Sequence, residues 1–573
     1  MAKKKKNKKE MSFKTKFTIF AVSGFVVLFL VYYLCLPIFN FKSVGFYVFI
    51  ALIALYISII VCTILGQKKI KQVGEEEYIG KKYDYASGKF YKVSKKVKEK
   101  YSMEYISFIN SMLTIGALVV VLILLALTGA KIFNAKKYYG QLKVENGTME
   151  EFEKVFNYDA GNVKLPILDS ELAFKLAQSK ISQYGAQYTI DFDNFTLISV
   201  TRNGEDKLVR IAPLEYSNFF VSLNRYNQGT VGYIEVDVIT KEAKIVEFSD
   251  GLKYMPSSIF GKDLDRHVRF TYPTEIVNNK YFEIDDEGNP YWIFPTIKKQ
   301  IGVFHGETAK GVIVVNPING ECNRYNLGEE PSWVDRATIE TIADSQATNY
   351  FKFKNGWFNA VLGQKKEVFQ MSDGYNYFIK DGKTYYVSCI TSPNENDQTS
   401  IGFITINLKD RTSTFYAIDG TTEMRAREIA ENDYRVKAQA FTSTWPILID
   451  FNGVPTYFVV LKNEVQPQMI VFIDVETGIK VGMGETIDEA KNDYAKQLDI
   501  VISNTKELSA KIVSIRDLDN RIEFMVEGID RYFVVNVDEK TNNDIRFMKI
   551  NDEFNIIYSE ETNYNLVIEM NKK

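Results

Sequence analysis

The chain is long enough for several domains, and its charge is divided unevenly along its length. It has 573 residues, 46% of them hydrophobic, and a formal net charge of −2. Residues 1–130 hold 20 Lys and 7 acidic residues, a charge of +13, whereas the remainder holds 50 basic and 65 acidic residues, a charge of −15. Such a division indicates two compartments. The acidic remainder argues against nucleic acid as a partner, because phosphate binding needs a basic surface.

Three apolar runs near the N-terminus predict three transmembrane helices. They cover Phe17–Leu36, Val44–Leu65 and Ile106–Ala130, each near the roughly 20 residues that cross a bilayer core of about 30 Å. A cleaved signal peptide does not fit, because the first run is long, lacks an A-x-A site after it and precedes two further runs. The runs contain no Asp, Glu, Lys, Arg or His, which argues against a transporter or pump.

Lysine positions predict the orientation of these helices. Eight lysines lie in the tail 1–16 and eleven in the loop 66–105, but only Lys42 lies between the first two runs. Because positively charged loops stay in the cytoplasm, we expect the N-terminus inside and the large C-terminal part outside the cytoplasm. The polybasic segments could also bind anionic lipid headgroups, although a plain topology signal is the favoured interpretation.

One pattern of strands recurs four times in the large part. A first hairpin is predicted at 197–214, 282–296, 377–389 and 447–461, and a second at 232–248, 311–327, 402–418 and 469–484. Each first hairpin has a turn glycine between β-branched and aromatic residues, a short-range hairpin signal. These glycines are Gly204, Gly288, Gly382 and Gly453, which are 84, 94 and 71 residues apart. The spacing suits small α+β modules rather than a solenoid.

A helix is predicted before each first hairpin and once more near the C-terminus. The ranges are 169–182, 257–270, 337–351, 421–434 and 485–501. Three of them start with a good N-cap residue: Asp169 or Ser170, Ser257 or Ser258, and Thr421 or Thr422. Glu171 and Glu423 then provide an acidic first turn in the first and the last of these three. Thr486 and Glu489 form a capping-box pattern in the fifth. The strands of 509–570 then predict a small β-barrel or sandwich.

The predicted fold class is a membrane-anchored α+β protein with a β-rich ectodomain of about four repeats. The segments are a basic cytoplasmic tail (1–16), a transmembrane hairpin (17–65), a basic cytoplasmic loop (66–105), a third transmembrane helix (106–130), a connector (131–168), four repeats (169–250, 251–330, 331–420 and 421–484) and a helix with a C-terminal β module (485–573).

The order of helix, hairpin and a "vyVD-xx-TG-x" motif resembles PepSY-type modules. The segment FIDVETGIKVG is the nearest match and GYIEVDVITKEAKIV the next, and the resemblance covers about residues 169–500. The chain departs from the motif at Asn316 and Asn407, where Asp is expected, and at Lys241 in place of Gly. The resemblance implies a role at the bacterial cell surface, such as inhibiting or chaperoning peptidases.

No catalytic or metal motif stands out. The two histidines, His267 and His305, lack partners at recognisable spacing, so both are expected to be ordinary structural residues. The run Asp285–Glu287 invites a calcium site, but it lacks D-x-D-x-D-G spacing and Gly288 indicates a hairpin turn. We therefore expect no catalytic residues, no metal and no cofactor.

Two further features leave alternatives open. Cys322 and Cys389 could form a disulfide if the domain is outside the cytoplasm, although two free thiols are favoured. Five aromatic residues could line a carbohydrate or peptide groove, although core packing accounts for most of them. These residues are Tyr291, Trp292, Trp333, Trp357 and Trp445.

The sequence favours a non-catalytic, multi-pass protein of the bacterial cell membrane whose ectodomain binds an envelope protein or a cell-wall component. Its expected partners are the lipid bilayer and that envelope component, without nucleic acid, and a homo-oligomer is left open. β-Rich modules with open edges suit protein contacts, including strand addition. The alternatives are a carboxylate-dependent envelope hydrolase and a membrane subunit of a larger complex.

Overall fold

Helices dominate the N-terminal part of the chain, and β-sheets dominate the rest. The computed structural model describes residues 13–66, 76–96, 103–158, 165–202, 205–380, 383–394, 398–498, 500, 506–518, 521–537, 543–560 and 564–573. Within these residues the fold is mixed α+β, with four mainly antiparallel sheets along the chain and a closed five-stranded barrel at the C-terminal end. The α+β class and the barrel are therefore confirmed.

The three N-terminal apolar runs are helical. Their elements are α1 (Phe13–Cys35), α2 (Val44–Gly66), a hairpin of β1 (Glu76–Asp84) and β2 (Lys89–Lys96), and α3 (Met103–Leu127). In the described part of the chain, no helix taken singly has both the length and the apolarity of a membrane span. The segments Met112–Leu127 and Lys131–Tyr139 have the length and the apolarity of a span only when they are taken together, across a bend of 42°.

Helices α1 and α2 approach each other at a glycine. A Cβ atom on Gly24 of α1 would lie 1.5 Å from the ring of Tyr56 in α2, so any larger residue would require the Tyr56 side chain to move. Small residues at such positions allow close helix packing.

The connector packs against the β-rich part of the chain that follows it. It contains α4 (Lys131–Tyr139), β3 (Val144–Gly147) and α5 (Met149–Phe156). Helix α5 begins with a capping box, in which the Thr148 hydroxyl accepts a hydrogen bond from the Glu151 N–H at 3.2 Å and the Glu151 carboxylate accepts one from the Thr148 N–H at 2.9 Å. Its Phe152 and Phe156 are fully buried in a core that also contains Phe403 and Tyr457.

Sheets 1 and 2 are formed by the first half of the β-rich part. Sheet 1 has the order β5-β6-β8-β9, and sheet 2 has the order β10-β12-β13-β14 with β11 also on β12. The elements are α6 (Ser170–Ile181), β4 (Tyr188–Thr189), β5 (Thr196–Arg202), β6 (Glu205–Pro213), β7 (Glu215–Tyr216), α7 (Phe219–Asn224), β8 (Thr230–Asp237), β9 (Ala243–Leu252), α8 (Leu264–Thr271), β10 (Ile276–Val277), β11 (Tyr281–Ile284), β12 (Pro290–Ile301), β13 (His305–Val315) and β14 (Cys322–Asn326).

Sheets 3 and 4 repeat this arrangement. Sheet 3 has the order β15-β17-β18-β19-β3, with β16 on β17 and β20 on β18, and sheet 4 has the order β21-β23-β24-β25, with β22 on β23. The elements are α9 (Glu340–Phe353), α10 (Gly356–Val361), β15 (Gln370–Met371), β16 (Asn376–Lys380), β17 (Lys383–Thr391), β18 (Thr399–Asn407), β19 (Ser413–Tyr416), β20 (Gly420–Thr421), α11 (Glu423–Asn432), β21 (Thr442–Ser443), β22 (Ile447–Phe451), β23 (Val454–Lys462), β24 (Pro467–Asp474) and β25 (Val481–Gly484).

The C-terminal module is a closed barrel rather than a sandwich. Its strands follow the order β26-β27-β28-β30-β29, and β26 closes on β29. The elements are α12 (Ile487–Gln497), β26 (Lys506–Leu518), β27 (Arg521–Val526), β28 (Phe533–Asn536), α13 (Asn543–Arg546), β29 (Glu553–Glu560) and β30 (Asn565–Lys572). Helix α12 packs on sheet 4 through Ala490 and Tyr494.

The four sheets pack as two pairs. Tyr233 of sheet 1 and Trp292 of sheet 2 lie in one shared core, to which α8 contributes. Phe403 of sheet 3 and Tyr457 of sheet 4 lie in an equivalent core, to which α11 contributes. Helices α6, α9 and α12 cover the outer faces of sheets 1, 3 and 4. Each sheet is apolar on both faces and therefore needs a cover on both sides.

The same turn closes the second hairpin of every sheet. The side-chain oxygen of its first residue accepts hydrogen bonds from N–H groups two or three residues later; these first residues are Asp237, Asn316, Asn407 and Asp474. The residue four positions later has a φ between 64° and 80° in each turn: Lys241, Gly320, Arg411 and Gly478. Because the turn needs only an acceptor oxygen, Asn replaces Asp without changing its geometry, and Lys241 adopts the conformation that favours glycine.

The predicted helices are present, with one wrong start. Helices α6, α9, α11 and α12 lie within or close to their predicted ranges. The helix predicted from Ser257 or Ser258 instead begins after Asp263, whose carboxylate accepts a hydrogen bond from the Arg266 N–H at 2.8 Å. Turn residues Gly288 and Gly453 have φ values of 85° and 82°; the other two predicted turn glycines, Gly204 and Gly382, lie outside the described residues.

The carboxyl group of Glu215 in β7 is buried and only half satisfied. Its Oε2 accepts hydrogen bonds from the Ser257 N–H at 3.0 Å and from the Ser257 hydroxyl, while its Oε1 has no hydrogen-bond partner in the described structure. Burial raises the pKa of Glu215 to about 7.

We expect Glu215 to make the protein less stable as the pH rises. Its pKa is higher in the folded state than the unfolded value of 4.5, so the folded state binds more protons between these two values and loses stability as the pH increases through them. The substitution Glu215→Gln should stabilise the protein by up to roughly 3 kcal/mol more at pH 8 than at pH 5, measured by denaturant unfolding. Glu476→Gln, at an exposed position, is the control; equal pH profiles for wild type and Glu215→Gln would contradict the prediction.

Candidate functional site

A cleft lies where the two sheet pairs meet. Its volume is about 520 Å³, within the range of roughly 300–1,000 Å³ that is usual for small-molecule sites. Sheet 1 with α6 contributes Asp169, Phe195 and Arg210, sheet 2 contributes Tyr281, and the other pair contributes Arg336, Glu340, Tyr377 and Trp445. Binding sites often occupy such interfaces between structural units.

A buried arginine forms part of the wall of the cleft. Arg336 is 5% exposed, and its guanidinium group donates to Glu340 Oε1 at 2.6 Å and to the Leu197 carbonyl at 3.3 Å. The group also lies 5.2 Å and 4.8 Å from the ring centroids of Tyr281 and Tyr377, which adds cation–π attraction. Burial opposes the charge, but the Glu340 carboxylate and the two tyrosines raise the pKa of Arg336 above its ordinary value.

Both oxygens of Glu340 are occupied by the same network. Oε1 accepts a hydrogen bond from the Tyr377 hydroxyl at 3.1 Å as well as from Arg336, and Oε2 accepts one from the Tyr281 hydroxyl. Burial and then the Glu340 carboxylate raise the pKa of Tyr281, so this hydroxyl stays a donor at neutral pH. The network fixes the shape of the wall.

Arg210 of β6 is the second cation of the cleft, and it has no such network. Its Nη1 donates to the Phe195 carbonyl at 3.2 Å, and its guanidinium carbon lies 5.8 Å from the Phe195 ring centroid. Its Nε is buried without a hydrogen-bond partner among the described residues. Burial, followed by repulsion from Arg336, lowers the pKa of Arg210 to about 10, so Arg210 remains charged at neutral pH.

Lys462 connects the two pairs beside the cleft. It lies on β23 of sheet 4, and its ammonium group binds the Asp169 carboxylate and Glu171 Oε2, the latter at 2.8 Å. Asp169 also caps α6, because its Oδ1 accepts a hydrogen bond from the Leu172 N–H at 2.9 Å. The Asp169 carboxylate is therefore occupied on both oxygens.

Aromatic rings cover much of the remaining surface. Trp445 packs against Gly374, where a Cβ atom would lie 2.3 Å from the indole ring, and the Arg427 guanidinium lies 5.5 Å from the indole centroid. Tyr375 is 43% exposed and stacks on Tyr386 at 4.7 Å. Phe192 is exposed at the rim.

The aromatic residues singled out in the sequence divide between cleft and core. Trp445 lines the cleft. Trp292 lies in the core shared by sheets 1 and 2, Tyr291 and Trp333 stack at 4.6 Å beside sheet 2, and Trp357 packs with α4. The structure therefore brings only one of the five to the cleft.

Both histidines, His267 and His305, pack against other parts of the fold. The His267 Nε2 lies 2.7 Å from the Gly320 carbonyl oxygen, and the ring lies 4.5 Å from that of Tyr254. His305 packs on Gly129 at the end of α3, where a Cβ atom would lie 2.4 Å from its Nδ1. Neither lines the cleft.

The acidic run Asp285–Glu287 forms part of a hairpin turn. Asp285 accepts hydrogen bonds from the Glu287 and Asn289 N–H groups at 3.1 Å and 2.7 Å. Within the described ranges, no group of three or more His, Cys, Asp or Glu residues could hold a metal ion. Cys322 and Cys389 are free thiols, as favoured from the sequence, and burial raises the pKa of both.

Two buried carboxyl groups lie together behind the cleft. The Asp335 N–H donates to Glu283 Oε2 at 3.0 Å, and both residues are less than 9% exposed. Burial raises the pKa of each, and the Glu283 carboxylate raises that of Asp335 further. Neither residue lines the cleft, so the pair is not presented to a substrate there.

Sequence reasoning missed the charged residues of the cleft. Arg210 interrupts the apolar strand LVRIAP and Arg336 lies just before α9. An arginine in an apolar strand is a signal for a buried or interfacial charge, since isolated charges are rarely buried without a partner. Two partners of Arg336, Leu197 and Tyr281, could not be named, because they come from other repeats.

No protein-family model matches the chain, and no curated protein matches it either.

We expect Glu340→Gln to destabilise the protein by about 3 kcal/mol, because it leaves the Arg336 charge buried without a carboxylate. The matched control is Glu367→Gln, which removes an exposed ion pair with Lys354 at 3.0 Å and should leave the free energy of unfolding nearly unchanged, because water and salt screen such pairs. Denaturant unfolding of the two variants measures both values. Similar losses in the two variants would show that the buried network does not stabilise the wall.

Proposed function

We propose that the chain is a membrane-anchored binding protein of the bacterial envelope, in which the extracytoplasmic cleft between the sheet pairs holds part of an envelope protein or cell-wall component without catalysis. The single observation that carries the binding role is the cleft itself. It is lined by aromatic rings and by an arginine with unused donors, the combination of apolar surface and a few polar groups that ligand sites share.

The exposed apolar surface of the N-terminal helices supports membrane anchoring. Phe25 and Leu34 of α1 are 72% and 70% exposed, and Leu113 of α3 is 65% exposed. Contiguous apolar surface of this kind on a soluble protein would be costly. A lipid environment removes the cost, and the uncharged runs suit it.

Contacts at one end of the helices support a three-span topology. The turn between α1 and α2 meets the segment between α8 and β10, because the Phe39 N–H donates to the Pro273 carbonyl at 2.8 Å and the Asn40 side chain to the Thr274 carbonyl at 3.0 Å. At the end of α3, the Val303 N–H donates to the Thr128 hydroxyl at 3.2 Å. The α1–α2 turn and the α3 exit thus share one side, as three consecutive spans require, and the lysine distribution is the reason for proposing that this side is extracytoplasmic.

The state of the lining carboxylates favours binding over hydrolysis. General acid–base catalysis needs carboxyl groups that can exchange a proton with substrate. The Asp169 and Glu340 carboxylates are engaged by protein donors on both oxygens, and Asp193 stands at the exposed rim. The role that the resemblance to PepSY-type modules implies is also non-catalytic.

We expect the C-terminus to be reachable from outside the cell. Protease treatment of intact cells that carry a C-terminal tag should remove the tag without lysis, because the ectodomain lies outside the proposed membrane. A cytoplasmic protein serves as the control for lysis. A tag that survives until lysis, while other surface proteins are cleaved, would contradict the proposed orientation.

A photo-crosslinking residue at Tyr375 should capture an envelope component in intact cells, because this cleft residue is 43% exposed. The same residue at Tyr434, which is 86% exposed and does not line the cleft, is the matched control and should give no such adduct. Electrophoresis and mass spectrometry of the adducts make the comparison. Equal capture at the two positions, or none at Tyr375, would count against the cleft as the binding site.

A further inference from the structure

Arg210 has hydrogen-bond donors that the protein leaves unused. A guanidinium group carries five N–H donors. In the described structure, Arg210 makes one hydrogen bond, to the Phe195 carbonyl, and its buried Nε has no partner. Arg210 is half-buried, and its enclosed Nε lacks the hydrogen bond that buried polar atoms normally have.

The nearby carboxylates compensate the charge of Arg210 only in part. Asp169 binds Lys462 and the Leu172 N–H, and Glu340 binds Arg336 and two tyrosine hydroxyls. The Asp169 charge favours the protonated guanidinium, but neither carboxylate forms an ion pair or a hydrogen bond with Arg210 in the described structure. The unused donors of Arg210 are therefore available to an acceptor on a molecule in the cleft.

The charged residues that line the cleft favour an acceptor with a single negative charge. The carboxylates of Asp169 and Glu340 also line the cleft and repel further negative charge, so a doubly charged phosphate is disfavoured relative to a single carboxylate. The planar fork of a guanidinium matches the two oxygens of a carboxylate. Phe195 beneath Arg210 and the rings of Tyr377 and Trp445 offer apolar surface to the rest of the ligand.

We propose that the cleft recognises an organic carboxylate, with Arg210 as the residue that binds its carboxylate group and the aromatic wall holding its apolar or ring-shaped body. This inference rests on the proposed binding function of the cleft. The carboxylate can come from the C-terminus of a peptide or from an acidic sugar, and both sources share the chemistry that Arg210 requires.

Calorimetric titration of the full chain tests the inference with two pairs of probes. One pair is the tripeptide Ala-Ala-Phe and its C-terminal amide, and the other is galacturonic acid, which carries one carboxylate, and its methyl ester. In one pair, the acid should bind at least about tenfold more tightly than its neutral form, because a charge-assisted pair is lost in the latter. The pair that shows this preference identifies the source.

Variants assign the preference to Arg210. Arg210→Gln should lower the affinity for the acid to that for the neutral form and leave the neutral form's affinity unchanged, which also reports that the cleft is intact. Arg210→Lys keeps the charge without the fork and should lose most of the preference, so it tests the inference even if the Gln variant does not fold. Arg516→Gln, at a residue of the barrel that is 73% exposed, is the control and should behave as wild type.

Several outcomes would overturn the inference. These are equal binding of acid and neutral form, a preference that survives in Arg210→Gln, binding of neither acid at millimolar concentration, and stronger binding of inorganic phosphate. In each case, capture of an envelope component through Tyr375 would leave the proposed function standing. Absence of that capture together with a clear acid preference would instead refute the envelope partner and keep the carboxylate site.

Discussion

The buried charge of Arg336 constrains how the two sheet pairs meet. Its guanidinium group bonds to the Leu197 carbonyl of sheet 1, lies against Tyr281 of sheet 2 and Tyr377 of sheet 3, and pairs with Glu340 of α9. A charge removed from water needs all of its partners together. The requirement favours one relative arrangement of the sheet pairs, and the cleft with Arg210 is the space that this arrangement leaves.

The pairing of sheets follows from the repeated sequence. Each repeat yields a small sheet that is apolar on both faces, so it cannot be stable alone. A second sheet covers one face, and a helix covers the outer face of sheets 1, 3 and 4. For sheet 2 the outer cover comes from Val334 and Ala337 in the segment before α9. The interface between pairs is polar and aromatic instead, and therefore suits a ligand.

The β-rich part of the chain lies directly on the ends of the N-terminal helices. Only three residues separate α3 from α4, and Tyr32 at the end of α1 stacks on Phe270 of α8 with ring centroids 5.5 Å apart. Under the proposed topology, the cleft is held at a fixed position relative to the membrane rather than on a flexible tether. Such a placement suits a partner that is itself fixed in the envelope.

The sequence by itself determined the local elements: the apolar helices, the hairpins, their turns and the four-fold repeat. These depend on residues a few positions apart, such as Asp474 and Gly478 in one turn. It did not determine the start of α8, because the cap Asp263 competes with Ser257, which bonds Glu215 far away in the chain instead. Only the tertiary structure decided the pairing of sheets and the cleft, because Arg210, Tyr281, Glu340 and Trp445 come from different repeats. Their meeting depends on how whole sheets pack, and the alternation of residues along a strand carries no information about that.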